Sequence, residues 1–201
     1  MYIPKYYQMK DYEKIKRFMI EHNFITIITI DNSVPIATHL PVIVEEYDNQ
    51  LYVSGHFSKE NPQWKTIKNN SNILMIFHGP HSYISSTWYE TEDVPTWDYQ
   101  SIHAYGCGML LDEDELITDL SKLLHKYEYH RQNGATWNNM SDHTKQQIHG
   151  ITGFKVKVNK IEASYKLSQN RSKKDKENII KQLSQSNNTV DKRLAREIDK
   201  F

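Results

Sequence analysis

The chain has 201 residues, 38% of them hydrophobic, which is enough to bury one sizeable core and few for two. Lysine and arginine total 25, as do aspartate and glutamate, so net charge gives no general attraction to nucleic acid or anionic membrane. The longest apolar run, Phe24 to Ile30, is far shorter than the roughly 20 residues of a bilayer span. No signal-peptide pattern precedes it. We therefore expect one main domain in a cytoplasmic protein.

Strand-like segments alternate with turn residues through the first half of the chain. An apolar stripe at three- and four-residue spacing first predicts a helix over residues 11–22. Six strands are then predicted, at 24–30, 34–44, 51–57, 72–77, 81–89 and 99–111. Gly79-Pro80 is interpreted as a turn between the fourth and fifth strands. Gly106 and Gly108 indicate a bulge or a close backbone approach. The spacing indicates an antiparallel meander, not parallel strands joined by helices.

Residues typical of helix starts occur between these strands and after them. Asn61 and Pro62 are a typical N-cap and first helical residue of a short helix. Asp112 and Glu115 begin the clearest helix of the chain, which carries a leucine stripe. A short helix is predicted from Ser141, and extended segments at 151–158 and 161–167. From Lys173 onward a polar tail with sparse apolar anchors predicts one or two peripheral helices.

The cysteine and histidine content limits which disulfides and metal sites are possible. The single cysteine, Cys107, excludes an intramolecular disulfide, and we interpret it as a small buried residue of a strand. The ten histidines are not accompanied by HExxH, by a helical His pair with a carboxylate, or by an acidic cluster. No metal site is predicted.

Four segments place polar, aromatic and histidine side chains within strand-like surroundings. They are residues 37–41, 54–57 with 61–65, 81–89 and 95–103. Hydroxyls, backbone amides and a cation can bind phosphate, while Trp and Tyr faces can cover a planar ring. Taken together, these segments fit a phosphorylated cofactor that carries a heteroaromatic ring.

Simpler interpretations of the same residues exist. Each histidine taken singly is more often a hydrogen-bonded structural residue. Trp88 and Trp97 are, taken alone, more often core or interface anchors. Ser85 and Ser86 lack the glycine pattern of a nucleophile elbow, which argues against hydrolysis. The lysines that follow residue 172 alternate with acids and are most simply a solvated helix face.

Motifs in a fixed order resemble the PaiB family. They are MYIPKY at 1–6, ATHLP at 37–41, SGHF at 54–57, NPQW at 61–64, GPHSYIS at 79–85, VPTWDYQSIHAYG at 94–106, ITGFKVKV at 151–158 and YKLSQNR at 165–171. The resemblance covers residues 1–171. It implies a mainly β (α+β) domain over 1–171, a six-stranded antiparallel split β-barrel of the pyridoxamine-phosphate oxidase type, with residues 172–201 as a helical tail.

The resemblance also implies a function and a site. PaiB-like proteins are described as FMN-binding negative transcriptional regulators of protease and sporulation genes, and their superfamily binds FMN between the subunits of a homodimer. On this chain the phosphate-side residues would be Thr38, His39, Leu40, Ser54, His56 and Lys65. The ring-side residues would be Tyr83, Ser85, Ser86 and Trp88, with Trp97, Tyr99 and His103 reaching in from the partner subunit.

Three functions remain as alternatives from the sequence. The first is regulation through DNA, although no helix-turn-helix is recognisable and the neutral charge gives no electrostatic footprint. The second is an FMN-dependent oxidoreductase, for which no catalytic acid or base can be named. The third is heme binding or degradation, with His39, His56 or His103 as an axial ligand. None of the three implies a membrane partner.

Overall fold

The computed structural model describes residues 1–201. Seven strands form one sheet in the order β2-β1-β5-β6-β7-β4-β3. The strands are β1 Phe24–Asp31, β2 Val34–Pro41, β3 Ile43–Tyr47, β4 Gln50–Ser58, β5 Ile73–Ile84, β6 Thr96–Leu110 and β7 Ile151–Lys166. The α-helices are α1 Tyr12–Glu21, α2 Glu113–Glu128, α3 Asp142–Lys145, α4 Lys173–Gln185 and α5 Thr189–Asp199. Short 3₁₀ helices include Pro62–Thr66 and Ser86–Trp88.

The break between β2 and β3 explains why seven strands appear where six form the predicted barrel. A single residue, Val42, separates them. Its N–H donates to the Asn23 carbonyl, and the Asn23 side-chain amide donates to the Val42 carbonyl. β2 pairs antiparallel with β1, and β3 pairs antiparallel with β4. The two end strands of the sheet order are therefore one bent stretch of chain, as a closed barrel requires. The predicted split-barrel fold class is confirmed.

Two predicted strand boundaries are wrong. The Gly79-Pro80 turn does not exist, because both residues lie inside the continuous strand β5. The pairing of β1 with β5 spans only Leu74 to Ile76, so Pro80 removes no hydrogen bond from that ladder. Gly79 lies against the Phe18 ring, where a Cβ would come within 2.8 Å. The predicted fifth strand ends at Ile84 instead of residue 89.

The segments at 151–158 and 161–167 are likewise one strand, β7. Its residues 151–157 pair with β4. The polar residues Asn159 and Lys160 between the two predicted segments are an exposed part of this continuous strand.

The predicted helices are confirmed with small shifts. α1 carries the stripe of Ile15, Phe18 and Met19 on its buried face. α2 begins with the predicted capping box, in which Asp112 and Glu115 each accept the other's backbone N–H. Ser141 caps α3, and the tail forms α4 and α5. No helix is long and apolar enough to cross a membrane.

The chain divides into two compact units. Unit 1 contains residues 1–18, 78–103 and 162–201, and its core is built from Phe18, Ile84, Ile102, Leu167, Ile179, Leu183, Leu194 and Ile198. Unit 2 contains residues 19–77 and 104–161, and its core includes Ile27, Val53, Phe57, Met75, Phe77, Phe154 and Val156. The predicted boundary between a 1–171 domain and a 172–201 tail stays a prediction.

The paired glycines of β6 mark close backbone approaches within unit 2, as predicted. A Cβ on Gly106 would lie 2.2 Å from the Lys157 carbonyl oxygen, and one on Gly108 would lie 2.5 Å from the Ile67 carbonyl oxygen. Cys107 lies between them in β6, as predicted for a strand residue, but it is half-buried and not buried.

Candidate functional site

Unit 1 presents a surface platform of three aromatic side chains. His81 and Tyr83 alternate with buried residues along β5, so both point outward on one face. Trp97 lies on the neighbouring strand β6, and its indole Nε1–H donates to His81 Nδ1 over 3.2 Å. Its ring centroid is 5.9 Å from that of His81 and 6.2 Å from that of Tyr83. About half of the Tyr83 and Trp97 surfaces stays exposed.

The Trp97 end of this platform is anchored from β7. The Lys166 ammonium donates to the Trp97 carbonyl oxygen over 2.9 Å and also binds the Thr96 hydroxyl. Burial lowers the pKa of Lys166, and the neighbouring Asp98 carboxyl opposes that change. The platform is therefore fixed by a hydrogen bond within it and by a lysine from the adjacent strand.

Trp97, Tyr99 and His103 share one face of β6 because they are two or four residues apart. Tyr99 accepts a hydrogen bond from the Ser164 hydroxyl over 3.3 Å. Burial lowers the pKa of His103, and the nearby N-terminal amine lowers it further, whereas Glu162 raises it. The strand predicted from residue 99 thus begins at Thr96 and includes Trp97; a contact of the three residues with a ligand stays a prediction.

The remaining ring-side candidates lie at the Ser86–Trp88 helix of unit 1. The Ser85 hydroxyl accepts the Thr87 N–H and so caps this helix. The carbonyl of Trp88 accepts from the Asn178 amide of α4 over 3.0 Å. Ser85, Ser86 and Trp88 are half-buried, and the structure assigns them this local support of the helix; their contact with a ligand stays a prediction.

In unit 2, Thr38 belongs to a polar network that joins β1 and β2 to the Pro62–Thr66 helix. Its hydroxyl donates to Gln63 Oε1 over 2.5 Å and accepts from the Asn61 amide over 2.8 Å. Gln63 is almost fully buried and its Nε2 lies within hydrogen-bond distance of Ile27 O, Thr29 Oγ1 and Ile36 O. The network positions the short helix that carries Lys65.

Lys65, His39 and Leu40 differ in what they can offer a phosphate. Lys65 is exposed, and its Nζ lies 5.8 Å from the Trp64 ring centroid with no acidic partner. His39 is exposed on β2, with Nδ1 2.9 Å from the hydroxyl of its cross-strand neighbour Thr26. Leu40 is buried in the core, so only its backbone could contact a ligand.

Ser54 and His56 lie on a different surface of unit 2, where α2 covers β4. The buried Ser54 hydroxyl donates to Asp119 Oδ1 over 2.5 Å. Burial raises the pKa of Asp119, while that hydrogen bond and Lys122 oppose the rise. Burial lowers the pKa of His56, and Asp119 opposes this. Ser54 therefore has a protein partner. Of the six phosphate-side candidates, Ser54 and His56 lie on this surface, whereas Thr38, His39 and Leu40 lie on β2 and Lys65 on the Pro62–Thr66 helix.

Three residues of these clusters were not among the predicted site residues: His81, Gln63 and Asp119. His81 is two positions before Tyr83, so strand alternation alone could have added it. Gln63 lies in the NPQW motif next to a predicted N-cap. Asp119 stands three residues after Leu116 and four before Leu123. A carboxyl on a helix's apolar stripe is a signal for a buried partner.

Unit 1 also contains a fully buried carboxyl. Asp98 accepts the Ser168 hydroxyl through Oδ2 over 2.6 Å, while its Oδ1 has no partner. Ser168 has a left-handed backbone with φ of 55°, so this hydrogen bond fixes the turn that follows β7. Burial raises the pKa of Asp98 to about 6, against the lowering effects of Ser168, Lys166 and Arg171.

The raised pKa of Asp98 predicts a pH dependence of stability. The folded protein keeps the Asp98 proton up to a higher pH than the unfolded chain does. Asp98 therefore contributes its full stabilisation below about pH 4, and this contribution is lost as the pH rises through 6. The loss should be about 3 kcal/mol. Asp98→Asn should flatten the fall in melting temperature between pH 5 and 7, whereas the exposed Asp48→Asn should not. Parallel pH profiles for Asp98→Asn and the wild type would contradict this origin of the effect.

Comparison with known proteins places this chain. A family model described as "Putative FMN-binding domain" matches residues 1–160. The chain is 45% identical over 196 residues to "Protease synthase and sporulation protein PAI 2" of Bacillus subtilis, with 97% of this chain and 95% of that protein covered.

Two solved structures share the fold. The flavocytochrome Anf3 of Azotobacter vinelandii superimposes with a TM-score of 0.59 at 12% identity, covering 82% of this chain and 72% of that one. The FAD and heme binding protein of Mycobacterium smegmatis gives a TM-score of 0.55 at 11% identity, covering 79% and 73%. At these identities the likeness concerns the fold alone. The family match and the Bacillus relative show the family, and the chain belongs to the PaiB family of FMN-binding-domain proteins.

Proposed function

We propose that this protein binds FMN and acts, as a homodimer, as a negative regulator of gene expression. The observation that carries the flavin part is the platform of His81, Tyr83 and Trp97 in unit 1. Large aromatic surfaces left half-exposed on a rigid strand pair are typical of sites that stack a planar ligand or a partner. The platform therefore fits an isoalloxazine ring.

Unit 2, taken by itself, offers residues that fit a phosphate group. Lys65 provides an exposed cation without a carboxylate partner, and the Thr38 network fixes the helix that carries it. A lysine ammonium acts as a point charge towards phosphate oxygens. We assign the phosphate contact to Lys65 and the supporting role to Thr38. FMN, when bound, would supply a ring that exchanges one or two electrons.

The regulatory part of the proposal is supported by the resemblance to PaiB proteins and by the name of the Bacillus relative, which connects it with protease synthesis and sporulation. The dimer is supported by the same exposed platform, since an aromatic surface of this kind fits a second copy as well as a ligand. Light scattering should give a mass near twice 23.8 kDa. A mass of one chain would contradict the dimer.

Variants of the platform test the flavin assignment. Trp97→Ala and Tyr83→Ala should each weaken FMN binding at least about fivefold, because an aromatic stacking contact contributes about 1 kcal/mol beyond its buried area. The matched control is Tyr129→Ala, which removes an exposed tyrosine in unit 2 and should leave the affinity unchanged. Flavin fluorescence quenching gives the dissociation constants. Equal FMN affinities for all three variants would contradict a role of the platform in flavin binding. A protein that does not bind FMN but gives a Soret band with hemin would favour the heme alternative.

A further inference from the structure

The C-terminal tail forms a compact helix pair at the surface of unit 1. α4 and α5 are connected by only three residues, 186–188. Their apolar side chains, among them Leu183, Leu194 and Ile198, are buried. Asp175 of α4 accepts the Glu90 N–H over 2.8 Å, and the side chain of Asn178 binds the Trp88 carbonyl. The pair is therefore a fixed part of unit 1, with α5 presenting its other face to solvent.

The outward face of α5 is predominantly positive. At 100° per residue its exposed positions, with the C-cap Lys200 included, fall within an arc of about 120°. They are Thr189, Lys192, Arg193, Arg196, Asp199 and Lys200. Asp199, the one acid among them, lies at the edge of this arc and in the last turn. We call the four cations of this face the basic stripe.

Three cations of the basic stripe have no partner. The side chains of Lys192, Arg193 and Arg196 make no hydrogen bond or ion pair, whereas the Lys200 ammonium binds Glu197 over 2.7 Å. Asp191, the acid nearest the start of α5, accepts the Ser186 hydroxyl instead. An ordinary solvated helix face mixes charges of both signs more evenly. Residues 172–201 hold eight lysines and arginines and five acids, although the whole chain is balanced.

The burial of the apolar face of α5 favours DNA over a lipid surface as the partner of this helix. An amphipathic helix binds a lipid surface by inserting its apolar face, but Leu194, Ala195 and Ile198 are already buried in unit 1. An α-helix with its side chains is about 10–12 Å across, which matches the width of about 12 Å of the major groove. Exposed Asn187 and Thr189 at the start of α5 can donate to or accept from base edges.

We propose that the basic stripe of α5 binds duplex DNA, with Lys192, Arg193 and Arg196 on the phosphates and the start of the helix towards the groove. This inference rests on the proposed regulatory function and assigns it a surface. It also explains how a chain of zero net charge can hold a polyanion: the cations are collected on one helix face.

Charge reversal tests the surface. The purified full chain is titrated into a fluorescein-labelled duplex of about 30 base pairs and mixed sequence, and binding is followed by fluorescence anisotropy from about 50 to 200 mM KCl. The triple variant Lys192→Glu, Arg193→Glu, Arg196→Glu should bind at least about 30-fold more weakly. If three phosphate contacts are lost, the slope of log affinity against log salt should fall by about 2.7 per protomer.

A matched triple variant controls for net charge. Lys10→Glu, Lys68→Glu and Lys157→Glu change the total charge equally at exposed lysines elsewhere, and duplex affinity should stay within about threefold of wild type. FMN affinity and melting temperature, measured on every variant, report the fold independently. Loss of duplex binding with FMN affinity retained supports the proposal.

Three results would overturn it. Wild-type protein that binds FMN but no duplex leaves the flavin part of the proposed function standing and removes this surface. Equal losses of duplex affinity in the two triple variants would mean that net charge, and not the α5 surface, determines binding. Tighter binding to phosphatidylserine vesicles than to the duplex makes the partner a membrane. Conversely, duplex binding that is lost only in the α5 variant, in a chain that does not bind FMN, supports this inference while the flavin proposal fails.

Discussion

Replacing Gln63 by glutamate is expected to lower the free energy of unfolding by about 3 kcal/mol or more at pH 8. The Gln63 amide donates towards two backbone carbonyls, of Ile27 and Ile36, and towards the Thr29 hydroxyl, in an almost fully buried position. A carboxylate of the same shape would place negative charge against those carbonyl oxygens. Burying an unpaired charge or leaving buried acceptors unmatched has costs of this size.

The pH dependence of this variant distinguishes charge from shape. Protonation restores a donor, so the variant should regain part of its stability as pH falls from 8 to 5. Urea unfolding at both pH values gives the free energies. Gln132→Glu, at an exposed glutamine, should change stability by less than about 0.5 kcal/mol. A Gln63→Glu protein as stable as this control would mean that the network does not hold the Pro62–Thr66 helix.

Gly106→Ala is expected to destabilise the protein by about 4 kcal/mol or to prevent folding. The added methyl would lie 2.2 Å from the Lys157 carbonyl oxygen and 2.6 Å from Val156 Cγ1. The first obstacle is backbone of β7, which cannot rotate away as a side chain can, so strands must separate. The effect therefore exceeds that of most point substitutions.

Gly150→Ala is the matched control, because the methyl it adds would meet no heavy atom within 4 Å and the φ of Gly150 is not positive. It should leave the melting temperature unchanged or raise it slightly by restricting the unfolded chain. Soluble yield and thermal melting followed by circular dichroism report both variants. A Gly106→Ala protein that melts with the wild type would contradict the close approach of β6 and β7.

Local chemistry made part of the fold predictable from sequence. The Asp112–Glu115 capping box and the Asn61 cap are short-range signals, and both are present. Gly106 and Gly108 indicated a bulge or a close backbone approach, and the structure shows the close approach. The Gly79-Pro80 error has the opposite cause: these residues usually turn a chain, but here packing against Phe18 and the short β1 ladder keep them in a strand.

Tertiary contacts determine what the sequence could not show about the candidate site. Trp97 lies outside the predicted strand at 99–111, but in the structure it shares one face of β6 with Tyr99 and His103. Tyr83 joins Trp97 through the pairing of β5 with β6. The hydrogen bond from Ser54 to Asp119 depends on where α2 packs on β4, and this tertiary contact cannot be predicted from the residues near Ser54 in sequence. The basic stripe of α5 depends on which face of that helix is buried. Interspersed acids conceal that stripe in the linear sequence.

The most direct test of the central claim is the affinity of the purified wild-type chain for FMN compared with riboflavin. Isothermal titration calorimetry should give one FMN per protomer, bound at least about tenfold more tightly than riboflavin, because Lys65 adds a charge-assisted contact to the phosphate. The Lys65→Gln variant should lose that preference while its riboflavin affinity stays the same. No heat of FMN binding, or equal affinities of the wild type for the two flavins, would contradict the proposed site.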